Sequence, residues 1–136
     1  MGGKIFLIDD DPLLIDLYTM AFKKFGYEVE TAFDGDEALK KLTAMERKPT
    51  IILSDIMMPK MHGLELLQKI KENPDTKKIP VILLTNLGKE DDIKKGLEMG
   101  AVTYLVKSEY TPREIVEKVK ELMAGYHEKT SVPEVK

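Results

Sequence analysis

A chain of 136 residues, 43% hydrophobic and 33% charged, has the size and balance of one globular domain able to bury a core. A formal net charge of -3, with the Lys pairs scattered among acids, argues against a nucleic-acid binder. The absence of Cys excludes disulfides, thiolate zinc sites and thiol catalysis, and no apolar run approaches the ~20 residues that span a bilayer. With no basic leader and no signal-like apolar segment, a soluble cytoplasmic protein is expected, with no membrane partner.

In chain order, short apolar runs alternate with segments of helical spacing. The runs are Lys4–Ile8, a weaker alternating Glu28–Ala32, Thr50–Ser54, Val81–Thr85 and Val102–Val106. Runs that are apolar on both faces suit strands of a parallel sheet covered on both sides. Between them lie stripes at a 3.6-residue period. These are Leu14, Leu17, Ala21, Phe22 and Phe25, then Ala38, Leu39, Leu42 and Met45, then Leu64, Leu67 and Ile70. A shorter stripe holds Ile93 and Leu97, and a last one Ile115, Val119, Leu122 and Met123.

The punctuation agrees. Asp11 before Pro12 supplies a capping carboxylate and a proline at the first helical position. Asp34 with Glu37, and Thr111 with Glu114, have capping-box spacing. Gly26 and Gly100 fall where helix ends favour a left-handed residue. The pattern predicts (βα)5, an α/β domain wound as an open parallel five-stranded sheet with helices on both faces. The domain is assigned to residues 1–125, and residues 126–136 read as a polar C-terminal tail or truncated linker.

Ligands of such sheets bind beyond the carboxyl ends of the strands. The first strand ends in Asp9, Asp10 and Asp11, the third in Asp55, the fourth in Thr85 and Asn86, and the fifth in Lys107. Asp11 is better read as the helix cap than as a ligand. Converging carboxylates repel, and a hard divalent cation with oxygen ligands relieves them, which points to Mg2+. With the ion present an ionised Asp55 is a candidate nucleophile toward phosphorus. Lys107, the Thr85 hydroxyl and backbone N–H groups such as that of Asn86 would hold the phosphoryl oxygens.

The segment from Asp55 through Met57, Pro59 and Gly63 to Leu67, with the acidic pair, Thr85 and Lys107 in order, resembles the receiver domains of two-component response regulators. The likeness extends over roughly residues 4–124. It implies a flavodoxin-like strand order 2-1-3-4-5 and no classical enzyme activity beyond self-catalysed phosphotransfer and autodephosphorylation. It implies that Asp10 binds the metal directly, Asp9 through water, and Asp55 as phosphoacceptor and ligand, with Met57 adding a backbone carbonyl. Thr85 and Lys107 would hold the phosphoryl group, and Tyr104 would be the aromatic partner of a Thr85 switch. The implied partners are a histidine kinase or histidine phosphotransfer protein and a downstream protein reached through the face of helix 4, strand 5 and helix 5.

Two positions depart from the family pattern. Asn86 is bulkier than the usual small residue. Ser108 replaces the usual proline after the Lys, so a trans Lys107–Ser108 bond is expected, with Thr111 still capping the last helix. His62 and His127 lack zinc spacing and read as surface residues. The eight Met residues read as core filler. Rival readings are a receiver-like interaction module that is never phosphorylated and an aspartyl-phosphate phosphatase of the haloacid dehalogenase type. The latter would want an Asp two positions after the nucleophile, where Met57 stands. A flavodoxin-like cofactor binder would want a glycine-rich phosphate loop, and no strand is followed by one.

Overall fold

Strands and helices alternate without exception in the computed structural model, which describes residues 3–129. The order is β1 (Lys4–Ile8), α1 (Pro12–Lys24), β2 (Glu28–Ala32), α2 (Gly35–Ala44), β3 (Ile51–Asp55) and α3 (Gly63–Glu72), then β4 (Val81–Thr85), α4 (Glu90–Glu98), β5 (Thr103–Val106) and α5 (Pro112–Lys129). All strands are parallel, in the order β2-β1-β3-β4-β5. The expected five-stranded doubly wound sheet is present. The third strand starts at Ile51 rather than Thr50, whose hydroxyl accepts the Lys4 amide instead, so Asp55 is the last strand residue.

The pleat sorts successive residues to opposite faces. Phe6, Ile8, Ile52, Val81 and Leu83 face α2 and α3 and meet Ala38, Leu42, Leu66, Leu67 and Ile70. Ile5, Leu7, Leu53, Ile82, Leu84 and Leu105 face α1 and α5 and meet Ile15, Tyr18, Phe22, Ile115, Val116 and Val119. This is a three-layer sandwich with a core on each side of the sheet.

The register of α1 differs from the expected stripe. Ile15, Tyr18 and Phe22 are buried, Leu14 and Ala21 only partly, and Leu17 and Phe25 are exposed. Apolar side chains occupy nearly every position from Leu13 to Phe22 except Asp16 and Thr19, so periodicity alone leaves the inward face open and the sheet decides it.

The helix ends follow local chemistry. Asp11 accepts the Leu13 amide at 3.0 Å with Pro12 following, and Thr111 and Glu114 exchange both bonds of a capping box at 3.1 and 2.9 Å. Gly26 and Gly100 adopt φ of 92° and 114°. The last helix continues to Lys129, past the point where the sequence turns polar, and residues 130–136 lie outside the described residues. Among the described residues no helix is long and apolar enough to cross a membrane.

Candidate functional site

The strand order puts the carboxyl ends of β1, β3, β4 and β5 side by side, and the acidic rim forms there. β3 is central and apolar on both sides, so its last residue, Asp55, is only 4% exposed. Asp9 follows β1 and is 1% exposed, while Asp10, one residue on, is exposed to solvent. One carboxylate oxygen from each of Asp9, Asp10 and Asp55 lies within 4.8 Å of the others. Asp11 stays out of this group as the cap of α1.

Lys107 reaches into the cluster from the end of β5. Its ammonium stands 2.8 Å from Asp9 Oδ2 and 3.2 Å from Asp55 Oδ2, with the side chain 11% exposed. Asp9 Oδ2 nevertheless has no aligned hydrogen-bond donor, so charge rather than a directed bond holds it. The other Asp9 oxygen accepts the Asp11 amide at 3.0 Å, and Asp55 Oδ1 accepts the Met57 amide at 3.4 Å.

Burial pushes the Asp55 carboxyl up to about 6, with the Asp9 charge adding to the effect and Lys107 and the Met57 amide opposing it. Burial alone would lower Lys107, but the close ion pair with Asp9 and the charges of Asp55 and Asp9 outweigh it and raise the ammonium. One ammonium thus faces three carboxylates. That donor set, with a buried oxygen left without a directed partner, fits a hard divalent cation bound through Asp9, Asp10 and Asp55.

An open cleft of about 680 Å³ overlies the cluster, lined by Asp10, Asp55, Met57, Asn86, Lys107 and Ser108 among others. Thr85, the last residue of β4, is 1% exposed, and its hydroxyl donates to the Asn86 carbonyl at 3.1 Å. Tyr104 is 40% exposed and pairs in register with Leu83, which puts it on the same sheet face as Thr85. No cis peptide occurs among the described residues, so Lys107–Ser108 is trans as expected. The chain passes through a single 3-10 turn, Lys107–Glu109, before Thr111 caps α5.

The loop from Ile56 to His62 holds features that sequence reasoning missed. Lys60 has φ of 70°, and the Met61 amide donates to the Pro59 carbonyl at 2.7 Å, which makes a tight γ-turn. His62, read from sequence as a surface residue, caps α3: its Nδ1 accepts the Leu64 amide at 3.1 Å. The loop closes on itself through the Gly63 amide and the Ile56 carbonyl at 2.6 Å. A Cβ on Gly63 would strike the Asp55 carbonyl oxygen and lie 2.7 Å from the Ile56 Cα, so glycine is required. The position of His62, just before an apolar helical stripe, was the one available signal for the cap.

The chain is similar in sequence and fold to known proteins. The family model for the response regulator receiver domain matches residues 5–120. The sequence is 37% identical over 123 residues to the alkaline phosphatase synthesis transcriptional regulatory protein PhoP of Bacillus subtilis, covering 90% of this chain and 49% of that protein. It is 35% identical over 123 residues to the phosphate regulon transcriptional regulatory protein PhoB of Rhizobium meliloti, covering 90% and 53%. The chain therefore spans about half the length of these relatives. Among solved structures, a CheY-like receiver domain from Methanospirillum hungatei superposes with a TM-score of 0.83 at 29% identity, covering 95% of this chain and 99% of that one. The chemotaxis response regulator CheY4 of Vibrio cholerae gives 0.81 at 29% identity, covering 90% and 99%.

Proposed function

This chain belongs to the response regulator receiver domain family, and on that premise we propose that Asp55 accepts a phosphoryl group from a phosphohistidine donor with Mg2+ as the cofactor. The observation that carries the reading is Lys107 bridging Asp9 and Asp55 within a three-carboxylate cluster under an open cleft.

An Asp55 oxygen attacks phosphorus from the side opposite the donor nitrogen. The P–N bond breaks as the P–O bond forms, and the electron pair leaves on the imidazole, which takes up a proton. With its carboxyl raised only to about 6, Asp55 is largely ionised at neutral pH and ready to attack. Asp9, Asp10, Asp55 and the Met57 carbonyl would hold Mg2+, whose chemical contribution is to neutralise oxygens of the transferring group. Lys107 supplies positive charge to a phosphoryl oxygen without any large movement, because its ammonium already lies beside Asp55. Thr85 holds another oxygen on turning its hydroxyl away from the Asn86 carbonyl, and the Asn86 amide assists.

That turn is where chemistry becomes signal. Thr85 and Tyr104 share a sheet face, so reorientation at Thr85 opens or fills space for Tyr104. The altered surface is the one formed by α4, β5 and α5, where a downstream protein would read it. A histidine kinase or a histidine phosphotransfer protein is the proposed donor, and the domain is proposed to act in the cytoplasm.

The test is labelling by acetyl phosphate followed by intact-mass measurement. One phosphate should be added only with Mg2+, and none in Asp55→Ala. Labelling that persists in that variant would sink the assignment.

A further inference from the structure

The β2–α2 connection, Phe33 and Asp34, and Gly35 at the start of α2 lie across from the Ile56–His62 loop and touch it at two points. The Lys60 ammonium stands 3.6 Å from Asp34 Oδ2, and Met61 packs against Gly35 so closely that a Cβ there would meet Met61 Cβ at 2.6 Å and Sδ at 2.9 Å. Lys60 is also the non-glycine residue that carries positive φ among the described residues. A long side chain in that region of backbone space is strained and persists only where its surroundings hold it.

We infer that Asp34 and Lys60 form a clamp, closed by Met61 on Gly35, in which both are positioning residues that set Mg2+ affinity by holding the acceptor loop in its γ-turn. The inference rests on the reading of Asp9, Asp10, Asp55 and the Met57 carbonyl as the metal site. Asp34 divides its two oxygens between tasks. Oδ1 accepts the Glu37 amide at 2.8 Å and caps α2, while Oδ2 faces Lys60. That cap fixes the carboxylate in place, so the ion pair does not have to order Asp34 as well. The Glu37 amide and Lys60 both hold the Asp34 carboxyl below its ordinary range, which keeps it charged. The acceptor loop is thereby tied to a second element besides its own strand and helix. Release of Lys60 would free the γ-turn and, with it, the Met57 carbonyl two peptides before Pro59.

The experiment is a Mg2+ titration of the full chain by calorimetry, paired with amide hydrogen exchange at Met61 and Gly63 in metal-free buffer. Asp34→Asn keeps a capping oxygen but loses the charge, and Lys60→Met keeps the stem but loses the ammonium. Each is expected to weaken Mg2+ binding about two- to fivefold, the range that one exposed ion pair supplies, and to speed exchange at Met61 and Gly63. The double variant should be no weaker than either single, since both remove one interaction. Lys60→Arg should restore affinity and protection with an unchanged urea midpoint. Equal Mg2+ affinity and equal exchange in all variants would overturn the clamp. So would losses that add in the double variant or follow the urea midpoint. A wild-type chain that fails to bind Mg2+ would instead overturn the metal site, while the exchange data would still report on the clamp.

Discussion

α3 and α4 leave neighbouring strands and flank the same rim, yet they are attached very differently. α3 buries Gly63, Leu66, Leu67 and Ile70 and begins at a side-chain cap from His62. α4 buries Gly96 alone, begins at Lys89 without a side-chain cap, and holds on through the partly buried Ile93. The helix that follows Asp55 is fixed, and its neighbour behind Thr85 is lightly held. Elements that change state are drawn from the weakly packed end of a fold, and rigid ones position chemistry. On the proposed reading, α3 would position the acceptor and α4 would be the element free to move.

The sharpest way to break this contrast is to give each helix an alanine at its buried glycine. Gly63→Ala places a methyl against the Asp55 backbone, which has nowhere to go, so a loss above about 3 kcal/mol or failure to fold is expected. Gly96→Ala meets Leu83 Cδ1, the far end of a flexible side chain, and gains up to about 1 kcal/mol of helix propensity. Its net cost should therefore be about 1 kcal/mol or less. Urea denaturation of the two variants decides, and equal losses would erase the distinction.

A second effect isolates what the rigid side tolerates. Asp55 is raised to about 6 when folded, against about 3.9 in an unfolded chain. Between those values the folded state binds more protons, so its stability falls as pH rises through that window and stays lower above it. In metal-free buffer the loss is on the order of 3 kcal/mol. Asp55→Asn should flatten the profile and be the more stable protein at pH 7. A parallel pair of pH–stability curves would mean that Asp55 is not under electrostatic strain. The smallest effect concerns the cap. His62→Ala should cost about 1 kcal/mol and His62→Asn only a few tenths, because Asn accepts the same amide. If both variants match the wild type in a thermal melt, the start of α3 is no better secured than that of α4.

Much of this was readable from residues whose roles are settled within a few positions. The caps at Asp11 and Thr111, the glycines at 26 and 100, and the strands to within one residue at each end needed no knowledge of distant chain. The acidic rim was readable because parallel topology forces strand ends together, whatever the loops do. The inward face of α1 was not, since Leu14, Ile15, Leu17 and Tyr18 offer adjoining apolar stripes that differ only in what the sheet accepts. Nor were the left-handed Lys60 and its pairing with Asp34. Both depend on a contact between loops far apart in sequence, which no local preference encodes.

The outermost strands carry one more consequence of the strand order. β2 and β5 each leave a row of backbone groups without a neighbour, and such edges invite a second sheet to add on. β2 guards its edge with charge: Glu28, paired with Arg47, and Glu30, 3.8 Å from Lys41, would be brought against the same acids of an incoming copy. β5 has no charged residue, but it is only four residues long and ends at Lys107, where the chain turns into its short 3-10 segment. Runaway sheet growth is thus discouraged by repulsion on one flank and by brevity on the other.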